Sequence, residues 1–454
     1  MAEINQPENQ QANLVTDAIP GPKSRVLREQ EDGMLADGLQ GFALKAGIVV
    51  EEARGNIVKD VDGNEFLDII GGIGVNGLGH SHPEFLAGLQ KQMVKSSVGS
   101  FTSQARIDLL TRLSGKKMGD LSHLQLYSSG AEAVESALRL AKNYTGKHEI
   151  VSFSGGFHGK TQGVLALMGS TFKNGFGPYV PGNHIVPYAN PYRPVVGANA
   201  DNCAEVSIEM ARTQLKQNNS SGIAAFIIEP MQGTAGNVIP PDDFLPMVQD
   251  LAKEFDALLI ADEMITGFGR TGRYWGCEHA DIVPDMVTVG KQFGGGFPLS
   301  GVISTQKITS TRPWGNPSGS SSSYGGNPLA SAAANAALGI IENEGLVENS
   351  KEMGRYFLEN ILHFKDKYSF IGNVRGRGLF LGIEMVECKE TKVPLPPRIT
   401  DQIFNEFLQN GLLTMAYASS FRIQPAMTID KGTIDNVVDI MEKVFQTVED
   451  TYLS

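Results

Sequence analysis

The chain has 454 residues, of which 41% are hydrophobic and 19% charged, and a formal net charge of -12. That length buries a large core and implies more than one domain. The acidic balance argues against nucleic-acid binding and against adhesion to anionic membranes, and no apolar run approaches the ~18 residues that span a bilayer.

Residues 1–20 are polar, lack the apolar stretch of a secretory signal, and are expected to be mobile. Residues 48–70 alternate apolar and polar with Asp62-Gly63-Asn64 between two runs, which predicts a hairpin. Gly71 to His80 is glycine-dense, so the backbone there turns sharply or approaches something closely. A helix is expected after Pro83, a residue suited to a first helical turn. From about 124 to 305 strand and helix patterns alternate. Leu124–Tyr127, Ile150–Phe153, Ile223–Ile228, Ala257–Ala261, Met286–Val289 and Gly301–Ser304 are the strand candidates, with a helix over 130–145. Such alternation predicts an α/β fold with a parallel, doubly wound sheet. The insert at 170–200, rich in Gly, Pro, Tyr and Asn, reads as ordered loop. After residue 330 the texture becomes α+β: an alanine-rich helix over Ala330–Asn343 continuing through 344–365, strand-like Gly372–Glu384 and Leu412–Ile423, and a last helix from about 432. This predicts a second, smaller domain. Cys203, Cys277 and Cys388 form no Cys-x-x-Cys pair. Neither a disulfide framework nor a thiolate metal site is suggested, no metal is expected, and a reducing, cytoplasmic compartment fits best.

Several strand ends carry chemistry. Ser129-Gly130-Ala131-Glu132 opens a helix directly after a strand, where exposed N–H groups and the helix dipole suit a phosphate. The same residues spell a capping box, which is far commoner, and the two can coexist on different N–H groups. Gly155-Gly156-Phe157-His158-Gly159 suits a ring stacking on a flat ligand, or an ordinary glycine loop with a packed Phe. Glu229 ends one apolar run, and Asp262-Glu263 the next; a single carboxylate at such a place is often only a cap. Lys291 ends a third run, and lysine is among the least buried residue types. Desolvated, its amine becomes a usable nucleophile; the alternative is a side chain reaching the surface. In open α/β sheets ligands sit at the carboxyl ends of strands. Asp262 and Lys291 at one rim are what pyridoxal phosphate (PLP) needs: a lysine for the Schiff base and an acid against the pyridinium nitrogen. Ser320–Ser323 beside Tyr324-Gly325-Gly326-Asn327-Pro328 suits a phosphate or a plain loop. Arg422 suits a carboxylate clamp or a surface salt bridge.

Taken together, Asp262-Glu263, Gly267-Phe268-Gly269-Arg270-Thr271-Gly272 and Lys291 resemble the class III (omega, or subgroup II) aminotransferases of PLP fold type I. Ser129-Gly130-Ala131-Glu132-Ala133, Phe157-His158-Gly159, Tyr324-Gly325-Gly326-Asn327-Pro328 and Val374-Arg375-Gly376-Arg377-Gly378 support the resemblance, which runs from about 45 to 445. It implies a large PLP-binding domain over 76–330 with a mostly parallel doubly wound sheet. It also implies a small α+β domain over 331–454, joined by the N-terminal segment 1–75. By the same resemblance Lys291 would hold PLP as a Schiff base and later act as general base and acid, and Asp262 would pair with the ring nitrogen. Ser129, Gly130 and Ala131 would hold the phosphate. Phe157 would stack on the ring, with Met264 on its other face and His158 and Glu229 supporting the cofactor. Ser323 would reach the phosphate of a second subunit, implying a homodimer, alone or paired into a tetramer. Arg422 would take the substrate carboxylate.

Three departures stand near the substrate or cofactor: Thr234 replaces the family's usual Glu, Ile265 its Gln, and Lys160 its Arg. The function implied is transfer of an amino group from an amine or (omega-)amino acid to a 2-oxo acid, pyruvate or 2-oxoglutarate. The alternative on the same scaffold is an amino-acid racemase or epimerase, or a decarboxylating transaminase like dialkylglycine decarboxylase, to which Ser220–Phe226 and Gly376–Leu379 are similar. A non-enzymatic PLP-binding protein is disfavoured by retention of both Lys291 and Asp262. A nicotinamide enzyme is disfavoured because the Gly-x-Gly-x-x-Gly near the N-terminus, Gly72 to Gly77, follows a hairpin rather than opening a strand–helix–strand unit.

Overall fold

The computed structural model describes residues 8–453. The chain divides into two compact units, one made of the chain up to Leu86 together with the chain from Gly345, the other of Ala87–Glu344. Among the described residues no helix is long and apolar enough to cross a membrane.

In the first unit β1 (Val50–Arg54), β2 (Ile57–Asp60) and β3 (Glu65–Asp68) form an antiparallel meander. The expected hairpin lies between β2 and β3. Asp60 closes its turn by accepting from the Asp62 and Asn64 N–H groups at 3.0 and 2.8 Å, and Gly63 supplies a φ of 95°. Of the polar start, residues 1–7 lie outside the described residues. Residues 8–20 are not the loose tail expected. Asn13 and Glu65 exchange backbone hydrogen bonds at 2.8 and 2.9 Å, and the Asn64 side-chain oxygen takes the N–H groups of Val15 and Thr16. Backbone polar groups here satisfy one another, which composition alone does not reveal.

The second unit holds the central sheet. Its strands are β4 (His123–Tyr127), β5 (Glu149–Phe153), β6 (Asn183–Val186), β7 (Ile223–Ile228), β8 (Leu258–Asp262), β9 (Met286–Val289) and β10 (Ser300–Ser304), in the order β4-β10-β9-β8-β7-β5-β6. The five strands from β9 to β6 are parallel, whereas β10 runs antiparallel to both β9 and β4. Only residues 290–299 separate β9 from β10. A parallel return needs a crossover of a dozen or more residues, so the short link reverses the strand. The 170–200 insert is more than loop, because Asn183–Val186 adds β6 to the sheet edge beside β5. Four residues among glycines and prolines carry too little periodicity to announce a strand.

The helix Gly130–Thr145 lies across the sheet and buries Ala133, Val134, Ala137, Leu138, Leu140 and Ala141, a stripe at helical spacing. Alanines dominate it, which lets the helix approach the sheet closely. Back in the first unit, β11 (Ile371–Gly376), β12 (Leu381–Met385) and β14 (Ser420–Ile423) form a second antiparallel sheet, while β13 (Leu412–Leu413) joins β3.

One buried acid anchors the amino end of β5. Glu149 accepts from the backbone N–H and hydroxyl groups of Ser220 and Ser221 on one oxygen, and from His184 on the other. Burial pushes its carboxyl upward, but the Ser220, His184 and Ser221 hydrogen bonds outweigh that and hold it at about 2. A depressed carboxyl contributes stability that is full above its unfolded value, near 4.5, and is lost as pH falls through about 2. Glu149→Gln is therefore expected to lower the thermal midpoint at pH 7. The gap from wild type narrows below pH 4.5 and closes near 2, as a melting series against pH will read.

Candidate active site

β8 delivers Asp262 to the carboxyl rim of the sheet, with Thr288 of β9 as its in-register partner. The carboxylate is 2% exposed. His158 Nδ1 donates to its Oδ2 at 2.7 Å, while the Thr288 hydroxyl and the Met264 N–H donate to Oδ1 at 3.0 and 3.2 Å. A carboxylate only accepts, so the proton of the first contact belongs to His158. Burial alone would lower the proton affinity of this imidazole, but the hydrogen bond and charge of Asp262, helped by Glu229, raise it.

Glu229 follows β7 directly and joins two loops. Its Oε1 accepts from Phe157 N and its Oε2 from Gly233 N, both at 2.9 Å. Burial pushes this carboxyl up; the charge of Asp262 adds to the rise, and His158 and the two N–H donors oppose it. The Gly233 turn sits against Ile265, whose Cδ1 lies 3.1 Å from where a Cβ on Gly233 would fall. Thr234 is exposed beside it. The half-buried Phe157 ring meets Phe172 edge-on with centroids 5.9 Å apart, and the Lys160 amine lies 4.6 Å from the centroid of Phe172.

Ser129 caps the helix Gly130–Thr145, its hydroxyl accepting from Glu132 N at 3.3 Å. The return bond of the expected capping box shifts by one residue, because Glu132 accepts from Ser128 N at 3.0 Å. By helix geometry the N–H groups of Gly130 and Ala131 have no partner inside the helix. The loop after β5 is clamped onto this helix start. Glu135 takes the Thr161 hydroxyl at 2.6 Å and Gly163 N at 3.0 Å. Gly159, at φ +130°, would put a Cβ 2.6 Å from that of Ala131. Gly159→Ala is expected to cost about 1–3 kcal/mol from strain and overpacking together, visible as a lower midpoint in thermal unfolding.

Lys291 stands three residues beyond Thr288, on the same rim as Asp262. It opens the tight turn Lys291–Gly294 with a φ of +49°, a left-handed conformation that costs a side chain-bearing residue roughly 1–2 kcal/mol. Strain of that kind persists where the surroundings over-determine it, and functional sites are where it gathers. The surroundings are visible. Gln292 is buried and donates to Gly267 O. Phe293 stacks on Phe268 with centroids 5.1 Å apart and planes 8° from parallel. Glu263 is buried, accepts from the Thr266 hydroxyl and takes Gly276 N and Cys277 N at 2.9 and 2.8 Å. Arg270 is wholly buried, which pushes its guanidinium down to about 10. The Met264 side chain fits where two glycines leave room: its sulfur lies 3.0 and 2.6 Å from the Cβ positions of Gly130 and Gly290.

The structure thus gathers Asp262, His158, Met264, Glu229 and Phe157 by direct contact, with Gly130 against Met264 and Lys291 on the same rim. Ser323 is exposed, three residues after Ser320, which is buried between Tyr127 and Ser136 at 2.6 and 2.9 Å. Arg422 lies half-buried in β14 of the other unit, with Gly382 as its strand partner. Sequence reasoning passed over Thr288, Gln292, Glu135 and the part played by Glu263. The one available signal was polarity at apolar places: Thr288 is the sole polar residue of a strand that is otherwise Met and Val.

Comparisons with known proteins give the family. Residues 43–445 match the family Aminotransferase class-III. The chain is 31% identical to a 4-aminobutyrate aminotransferase of Mycobacterium leprae over 96% of its own length and 98% of that protein's. It is 32% identical to an alanine/serine racemase of Pyrococcus horikoshii, covering 94% of this chain and 91% of the other. Among solved structures it is similar to an (S)-enantioselective omega-transaminase of Thermomicrobium roseum, with a TM-score of 0.87 at 29% identity over 93% of this chain and 98% of that one.

Proposed function

This chain belongs to the class-III aminotransferase family, and from that membership we propose that Lys291 and Asp262 hold pyridoxal phosphate for transfer between an amine or amino acid and pyruvate or 2-oxoglutarate. Amino-group transfer itself is the activity of the family, whose members depend on PLP.

The residues present fit the cofactor. An ionised carboxylate offers about four lone-pair positions. Three on Asp262 are taken, leaving one on Oδ2 for a ring N–H. The Gly130 and Ala131 N–H groups would hold the phosphate at the positive end of the helix, with Ser129 beside them. Phe157 and Met264 would cover the two faces of the ring, with His158 and Glu229 fixing Asp262 and Phe157. When bound, the cofactor supplies a cationic ring that accepts the electron pair left on the substrate carbon. Asp262 would keep that ring nitrogen protonated by opposing it with a fixed buried charge. Lys291 Nζ would hold the cofactor covalently and, as base and then acid, would take a proton from the substrate carbon and give it back. Arg422 would bind a substrate carboxylate through its guanidinium fork.

The exposed Ser323 and its neighbour Tyr324, 65% exposed, support a homodimer in which Ser323 reaches the phosphate bound by the other copy. Three unpaired thiols support a cytoplasmic home. The observation that carries the reading is the buried, triply held Asp262 on the same sheet rim as a lysine strained into a left-handed turn. The test is a panel of amino donors against pyruvate and 2-oxoglutarate with PLP-reconstituted protein. Consumption of acceptor matched to keto product is expected; no acceptor consumed with any donor overturns the reading. The similarity to the P. horikoshii racemase favours a second reading, which the same assay separates: loss of optical activity from an amino acid with no acceptor present.

A further inference from the structure

The hydroxyl of Thr288 is 0% exposed and donates to Asp262 Oδ1 at 3.0 Å. We infer that Thr288 is a positioning residue for the reaction: by holding Oδ1 it makes Oδ2 the oxygen that Asp262 presents to the ring nitrogen of the cofactor. This rests on the reading of Asp262 as that nitrogen's partner.

The geometry holds Thr288 against Asp262. Its backbone is pinned from both sides, in register with Asp262 on β8 and with Val302 on β10. Its carbonyl accepts from Glu263 N at 3.0 Å. Residues directly opposite one another on adjacent strands share a face of the sheet, so the side chains of Thr288 and Asp262 project together. A β-branched side chain is stiff at χ1, so the hydroxyl cannot swing away. Met264 N, 3.2 Å from the same Oδ1, adds a second donor on that oxygen. On the other oxygen His158 leaves one lone pair. Without the hydroxyl, Oδ1 keeps only the longer backbone bond, and the carboxylate gains freedom to turn about its terminal torsion. Two titratable groups that act on Asp262 are His158, which donates to it, and Glu229, which feels its charge. Neither contacts Oδ1 in place of the threonine.

Wild type, Thr288→Val, Thr288→Ala and Thr288→Ser are reconstituted with PLP, and visible spectra, kcat and KM are compared with a donor active on the wild type. Removing the hydroxyl, as Val or Ala, is expected to lower kcat roughly ten- to a hundredfold, the scale of one hydrogen bond to a buried charge. KM should stay within about twofold and the cofactor's absorption bands should redistribute, while Ser restores both. Val and Ala differ in volume, so an effect common to both separates the lost donor from altered packing, and either alone suffices if the other does not fold. A wild-type spectrum and kcat in the Val or Ala protein overturns the inference, as does a Ser protein damaged as much as they are. Wild-type protein that takes up no PLP overturns the inference together with the proposed function.

Discussion

Lys291→Ala is expected to reduce amino transfer by at least ~10⁴-fold, because under the proposed function the general base and acid of the central proton transfer would go together with the covalent anchor. The loss falls on kcat, since the phosphate and ring contacts would remain. Single-turnover kinetics with pre-bound donor will resolve it, and a small added primary amine should restore part of the rate by standing in for Nζ. Borohydride treatment of wild type should attach the cofactor at residue 291; a label elsewhere, or an alanine variant within tenfold of wild type, contradicts the assignment. Glycine at the same place would act on stability as well. Lys291 is held at φ +49°, and Ala there keeps the backbone cost, whereas Lys291→Gly relieves it. The glycine variant should therefore melt slightly higher than the alanine variant while being equally inactive.

Asp262→Asn is expected to cost roughly 10³-fold in kcat, the order seen when one preorganised electrostatic partner is removed from a site. The amide keeps the size of the carboxylate and loses its charge, so under the proposed function nothing would hold the ring nitrogen protonated. The change also reaches His158. Its imidazole owes its raised proton affinity to Asp262, against burial that opposes the charged form. With the carboxylate gone, burial is opposed only by the charge of Glu229, and the ring titrates lower than in wild type. The ring resonances of His158 followed against pH will show this, and an unchanged midpoint would mean that Asp262 is not what sets it.

How much of this could be read from the residues depended on what each element exposes in its pattern. β7 and β9 stand where short apolar runs between turn residues place them, Ile223–Ile228 and Met286–Val289, because a strand buried on both faces is written as continuous hydrophobic sequence. Asp262 and Lys291 were conspicuous for the same reason: each is a charge at the end of such a run. β6 left no such mark, since Asn183–Val186 is a four-residue edge strand whose place is decided by pairing with β5. The reversal of β10 is a property of link length rather than of the strand itself. Thr288 was hidden because a threonine inside a strand passes for a β-branched packing residue; only the partner across the ladder gives its hydroxyl a purpose. Glu229 announced itself as a strand-end acid, but nothing in its neighbours says that it ties residue 157 to residue 233, which are far apart in the chain.

That tie constrains any attempt to retune selectivity. One carboxylate group grips both the Phe157 backbone and the Gly233 turn, so under the proposed function remodelling residues 232–236 would tug on the Phe157 ring through a lever two hydrogen bonds long. Libraries that randomise the turn alone should yield many clones pale from weakened vitamin retention. Randomising residues 157 and 234 jointly, with Glu229 untouched, is the better-conditioned search.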